Sequence, residues 1–468
     1  SLNNLAGLYY AQGEYTKAEP LYVRCLEASI ATVGDSHPST LMLFNNLATL
    51  YKSQGEYVKT EPLYIRSLDA KIAVLGDKHP ETLISLNNLA GLYESQGQFV
   101  KAEPLFMRCL DISKAELGDN HPDTLTTLNN LANLHVKQGE YAKAEPMYVR
   151  CLDARKAVLG DSHPHTLSSI HNLAGLYKAQ GEYAKAEPMF VMCLDVTKAV
   201  LGDNHPHSLI IINTLAELYV AQGEYAKAEP MLVGCLDARK VVLGDNHPDT
   251  LSSINNLGGL YESRGEYTKA EPLYVRCLEA RAAVLGDHHP RTLTSLNNLA
   301  GLYKAQGEYA KAEPLYIRCV DATKAVLGDN HPHTLIILQN LAGFYESQQE
   351  YAKAEPLYIT CLETKKAELG EEHPDTVSSL NNLAVFYYTQ GEYVKAEPLL
   401  VRCLNARTVA LGDNHTDTLM SLGILAAMYD SQAEYVKAEA MHIRCLSAAK
   451  VVLGDNHTDT LLVLNSLS

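Results

Sequence analysis

One spacing constrains this chain more than any other feature. Cys25 recurs as Cys109, Cys151, Cys193, Cys235, Cys277, Cys319, Cys361, Cys403 and Cys445, and each gap is 42 residues or a multiple of it. Ser67 fills the one missing step. Gly34 recurs in the same way to Gly454, and His37 recurs without a break to His457. All nineteen prolines fall in two columns, headed by Pro20 and Pro38. A fixed period with no insertion means that one supersecondary unit is copied along the chain. Such a unit cannot bury its apolar face alone and stacks on its neighbours instead. The units are 1–42, 43–84, 85–126, 127–168, 169–210, 211–252, 253–294, 295–336, 337–378, 379–420 and 421–462, with 463–468 opening a twelfth. Together they make a single array over residues 1–468 with no interdomain linker.

Within unit one, Leu2, Leu5, Ala6 and Tyr9 are spaced by three and four residues and form one helical stripe. Gly13-Glu14 makes a turn. Tyr15, Ala18, Leu21, Tyr22, Cys25 and Leu26 form a second stripe, which Val33-Gly34 ends. Asp35-Ser36-His37 is a polar loop, and Pro38 suits the first turn of the next helix, where its missing N–H is not needed. Pro20 lies about one turn inside the second helix, where proline removes a backbone bond. Ten of eleven units keep it, so a tight or a kinked helix start is expected. The fold class is therefore all-α, a solenoid of antiparallel helix pairs.

Lys plus Arg number 39 and Asp plus Glu 55, a formal charge of −16. A duplex-binding surface needs many cations, so nucleic acid is excluded as a partner class. The same balance disfavours polybasic contact with a membrane, and no apolar run approaches the ~20 residues of a span. The chain starts without Met inside one helix and stops inside another, as expected of a fragment of a longer protein.

The columns through Leu5-Ala6, Tyr9, Gly13, Tyr15, Ala18, Tyr22 and Cys25 resemble the tetratricopeptide repeat. Asn3-Asn4-Leu5-Ala6, Ala18-Glu19-Pro20-Leu21-Tyr22 and the Leu75-to-Pro80 loop resemble its 42-residue kinesin light chain type. The resemblance covers the whole chain. It implies a right-handed superhelix that binds peptide segments or proteins in a concave groove. It implies an adaptor or scaffold, not an enzyme, and kinesin heavy chain as a partner by resemblance only. Similar repeats form the regulatory or sensor arrays of multidomain signalling ATPases and proteases, which is the alternative reading.

On a helical wheel, the side of the first helix opposite its core stripe carries phase positions 42, 4, 7 and 11. By the resemblance this side is the groove. It carries Asn4, Asn46, Asn88, Asn130, Asn172, Asn256, Asn298, Asn340 and Asn382 in one column. Amides offer donors and acceptors to an extended peptide backbone, or they bridge neighbouring repeats. Lys52, Lys178 and Lys304 are the nearest cations to that column, set among Glu94, Glu217, Glu262 and Glu346. Gly7, Gly91, Gly175, Gly301 and Gly343 leave room above it.

Residue types that suggest chemistry are explained by the repeat. Equivalent cysteines on packed helices ~8–10 Å apart are too far apart for disulfides, which need Cα atoms within ~7 Å. They read as buried thiols, which points to a cytoplasmic protein. The histidine column reads as a helix-start feature and not a metal site, since ligating rings must share one ion at ~2 Å. No catalytic set, metal or cofactor is expected, because every Asp, Glu and His of note is one member of a column and an active site needs a singular pocket. The Lys17 and Glu19 columns read as a solvated face.

Overall fold

A computed structural model describes residues 2–453. Gly454, His457 and the partial unit 463–468 lie outside the described residues. The described residues form twenty-two helices in strict alternation, from α1 (Leu2–Ala11) and α2 (Tyr15–Val33) to α22 (Tyr435–Leu453). After α1, the first helix of every pair has 16 residues and the second 19. Helix α3 (Pro38–Ser53) runs across the boundary chosen between units one and two. The chain divides into two compact units, Ser1–His331 and Pro332–Ser468, at one of the His-Pro steps that start first helices.

Three local devices, each recurring along the array, set this geometry. The first helix of a pair ends in a paired-bond cap: Gly13 N–H donates to Tyr10 O and Glu14 N–H to Tyr9 O, at 3.0 and 2.9 Å. Gly13 takes φ +72° there, a conformation that suits glycine. The second helix starts at once, with Lys17 N–H on Glu14 O at 3.0 Å, a three-residue bond that tightens the first turn. It continues as one α-helix through Pro20, which meets the expectation of a tight start. The third device is the loop. Gly34 ends the second helix, and His37 caps the next one by accepting from Ser39 N–H at 3.3 Å on Nδ1. Thr40 closes the loop by donating to Gly34 O at 2.8 Å. Thr82, Thr124, Thr166, Ser208 and Thr418 repeat that bond.

The core of each pair is a recurrent set. Ala6, Ala18 and Tyr22 and their counterparts are buried, Ala48, Ala90, Ala132, Ala102, Ala144 and Phe190 completely or nearly so. Small residues at the alanine positions let helices approach closely, and large ones at the Tyr22 phase fill the seam. The cysteines from Cys109 onward are buried and all are free. Cys151 Sγ donates to Leu125 O at 3.4 Å, and Ser67 Oγ makes the same bond to Leu41 O at 3.4 Å. The column therefore calls for a small group with a weak donor, which thiol and hydroxyl both supply. Burial pushes the Cys151 and Cys193 thiols up to about 11, so they stay protonated and inert.

Within Ser1–His331 the coil returns onto itself. His247 Nε2 lies 3.4 Å from Ala11 O, His289 Nε2 2.9 Å from Ser53 O, and His331 Nε2 3.4 Å from Ser95 O, each contact spanning 236 residues. The Nδ1 atoms of His247 and His289 accept their own helix caps, from Asp249 and Arg291 N–H. Nε2 therefore carries the proton and donates across to the facing turn.

Candidate functional site

The first helices of successive pairs lie side by side, and their outward face carries the asparagine column. The structure ties these amides together. Asn46 Nδ2 donates to Asn3 Oδ1 at 3.2 Å, Asn130 to Asn87 at 3.4 Å, Asn172 to Asn129 at 2.9 Å and Asn298 to Asn255 at 2.9 Å. Each bond runs from one helix to the same face of the one before it. Asn88, Asn340 and Asn382 are half-buried at the same phase, while Asn4 is exposed. Asn256 donates instead to Glu217 Oε1 at 2.7 Å, which also accepts from Asn213 at 2.8 Å.

The three lysines sit among protein acceptors. Lys52 Nζ donates to Gly91 O at 2.7 Å, and burial lowers its pKa. Lys178 pairs with Glu217 at 3.0 Å. Lys304 is half-buried at the same phase as both. The acidic residues of the face are engaged as well. Glu94 pairs with Lys137 at 2.8 Å, and Glu262 and Glu346 accept from Tyr274 and Tyr358, each at 2.7 Å. Burial raises the Glu262 pKa. The glycines of this face admit these groups: a Cβ on Gly7 would lie 3.5 Å from Tyr22 Oη, on Gly301 3.6 Å from Tyr316 Oη, and on Gly91 3.5 Å from Lys52 Nζ. A Cβ on Gly175 would meet nothing within 4 Å. The face is thus a lattice of amides, hydroxyls and internally balanced charges, with Met42, Ile84, Ile210, Ile336 and Met420 exposed along its edge.

One expectation is corrected. The Glu19 column is not simply a solvated face, because its members accept from the tyrosine of the next pair. Tyr93 Oη donates to Glu61 at 2.8 Å, Tyr177 to Glu145 at 2.9 Å and Tyr387 to Glu355 at 2.8 Å. The Lys17 column covers the same rings, with Lys59 Nζ 5.0 Å from the Tyr51 centroid and Lys311 4.9 Å from that of Tyr303. The fixed spacing of 32 residues between the Tyr and Glu columns was the available signal. Among the described residues, no three or more His, Cys, Asp or Glu side chains are grouped to hold a metal ion. No described helix is long and apolar enough to cross a membrane.

The family profile described as tetratricopeptide repeat matches in ten overlapping windows, from residues 1–59 to 375–450. No curated protein matches. The chain is similar to the crystal structure of nearly identical, kinesin light chain-like TPR-like repeats from Podosopora anserina, with 26% identity over 44% of this chain and 97% of that one, and a TM-score of 0.38. It is similar to BtubC (BKLC) from P. vanneervenii, with 22% identity over 53% and 92% of the two chains, and a TM-score of 0.40. It is also similar to a Rap protein complexed with competence and sporulation factor, with 14% identity over 79% and 98%, and a TM-score of 0.52.

Proposed function

The chain belongs to the tetratricopeptide repeat family, and on that footing we propose that it is a non-catalytic cytoplasmic scaffold whose first-helix face binds extended peptide segments of partner proteins. The amide ladder carries this reading. A ladder bond uses one N–H of the donor amide and leaves that amide its own Oδ1 and second N–H. Bridging holds Asn46, Asn130, Asn172 and Asn298 in place before a ligand arrives, which lowers the ordering cost of binding. Bridging and binding are therefore two uses of one column. The internally balanced charges around it suit a backbone-reading surface better than an acidic-peptide clamp. Kinesin heavy chain remains a partner suggested by resemblance alone.

The test is a random peptide display screen with Asn88→Lys, Asn130→Lys and Asn298→Lys combined as the counter-screen. Peptides enriched on the unmodified chain should lose at least tenfold in affinity on the variant, while its circular dichroism is unchanged. Equal binding by both would remove the ladder from recognition. A screen without enrichment would favour a regulatory array that engages folded domains.

A further inference from the structure

Two columns of this repeat are coupled. The first is headed by Ser29 on the second helix of a pair, the second by Leu43 on the next first helix. Where the first column holds a long cation, the second holds serine: Lys71 with Ser85, Arg155 with Ser169, Arg239 with Ser253, Arg281 with Ser295, Lys365 with Ser379 and Arg407 with Ser421. Where it holds a small hydroxyl, the second is aliphatic: Ser29 with Leu43, Thr197 with Ile211 and Thr323 with Ile337. In both pairings the side chains are buried: Lys71, Arg155, Arg239, Arg281 and Lys365 in the first, Thr197 with Ile211 and Thr323 with Ile337 in the second. Ser113 with Thr127 follows neither rule. Both are small, and a cavity of about 180 Å³ opens there between α5 (Pro80–Ser95), α6 (Phe99–Leu117) and α7 (Pro122–Lys137).

The cations elsewhere show what this space is shaped for. Arg155 Nη1 donates to Ser169 Oγ at 2.8 Å and to His165 O at 3.3 Å. Arg239 and Arg281 repeat the pattern on Ser253 and Asp249 O, and on Ser295 and Arg291 O, at 2.7 to 3.0 Å. Lys71 reaches the Glu81 carboxylate at 3.0 Å, and Lys365 reaches Gln339 Oε1 at 3.2 Å. The corresponding residues at the cavity are Thr127, Asp123 and Asn87, and all three line it. One repeat later, with Arg155 in place, the equivalent space is about 20 Å³.

The walls are left as acceptors. Ser113 Oγ donates to Cys109 O at 2.7 Å and Thr127 Oγ1 to Asp123 O at 3.1 Å; Cys109 Sγ also lies 3.5 Å from Thr127 Oγ1, as Cys277 Sγ lies 3.4 Å from Ser295 Oγ, which accepts from Arg281 as well. Both side chains are buried. The mouth carries Ile84, 44% exposed, and Thr126, also exposed, at the phase beside the asparagine column. An aliphatic stem can lie on Ile84 while its charged end enters.

We propose that the Ser113–Thr127 cavity is a cation pocket that receives an arginine or lysine side chain of a peptide lying along the first-helix face, in place of the residue other repeats supply from within. The proposal rests on the peptide-scaffold reading for its natural ligand, but the pocket is testable without it. Arg155, Arg239 and Arg281 each reach the serine and the backbone oxygen through Nη1, and a guanidinium keeps three further N–H donors for Asp123 and Asn87, so arginine binds more tightly than lysine.

The experiment titrates N-acetyl-arginine amide, N-acetyl-lysine amide and the neutral N-acetyl-citrulline amide into the full chain carrying labelled isoleucine methyls. The Ile84 methyl should shift saturably with arginine, less with lysine and not with citrulline. Ser113→Arg, which supplies the cation from within, and Thr127→Ile, which restores the hydroxyl–aliphatic pairing, should each weaken the arginine response at least tenfold with the helix content unchanged. If Ser113→Arg does not fold, Thr127→Ile carries the test alone. An equal response to citrulline, or an undiminished response in a folded filled variant, overturns the pocket. In the display screen, basic peptides lost on Thr127→Ile support it. Peptides bound equally by that variant overturn it while leaving the scaffold reading intact. Arginine amide binding without any enriched peptide sustains the pocket and removes the peptide reading.

Discussion

At the scale of single residues, a repeat makes substitutions informative because each stands beside ten controls. His171 occupies the phase of Asn3, Asn45, Asn87 and Asn129. Its ring packs edge-on against Phe190 at 5.3 Å, and burial, with smaller contributions from His207 and Lys178, pushes its pKa down to about 4. The unfolded chain takes up a proton near pH 6.5, while the folded chain does not until about pH 4. Stability is therefore complete above pH 6.5 and falls as pH drops from 6.5 toward 4. The loss is at most about 3 kcal/mol, and less because water reaches part of the ring. His171→Asn should make the midpoint of thermal unfolding fall less between pH 7 and pH 5 than in the unmodified chain. An unchanged pH slope would show that His171 titrates normally. The histidine column as a whole was legible as a helix-start feature because His-Pro precedes nearly every first helix. That Nδ1 accepts the cap bond was visible only with the loop folded.

At the scale of the helix pair, the turn between helices demands a left-handed residue, and two repeats ignore the demand. Gln349 and Ala433 stand where the others have glycine, and both take φ +60°. A side chain in that region costs roughly 1 kcal/mol. Gln349→Gly and Ala433→Gly should each raise stability to urea by about 0.5–1 kcal/mol, less than the full strain because glycine also frees the unfolded chain. A fall in stability on either change would mean that the side chain makes contacts worth more than the strain it imposes. These two positions were readable as breaks in a glycine column, and the turn geometry supplied the reason that the break matters.

At the scale of the assembled coil, within Ser1–His331, contacts across 236 residues join turns that sequence proximity never relates. A Cβ on Gly55 would lie 2.5 Å from Pro290 Cδ, whereas one on Gly223 would meet nothing within 4 Å, although both glycines have positive φ. Gly55→Ala and Gly223→Ala therefore carry the same backbone strain and differ in the clash alone. The first should cost on the order of 1–3 kcal/mol more than the second and should speed hydrogen exchange near residues 286–293. Equal effects would show that the two turns do not touch in solution. Burial holds the His289 pKa near 4 at this joint, against the raising effect of its bond to Ser53.

The sequence by itself determined the period, the helix pairs, the core stripes and the phase of the asparagine column, because each follows from local spacing repeated eleven times. It also held the coupling between the Ser29 and Leu43 columns, but as letters without a volume. Only the tertiary structure decided that Ser113 and Thr127 leave a space, that four of the asparagines bond from helix to helix, and that within Ser1–His331 the coil returns onto itself. Those outcomes depend on distances between atoms far apart in the chain, and a periodic pattern fixes the repeat without fixing the small rotation from one repeat to the next.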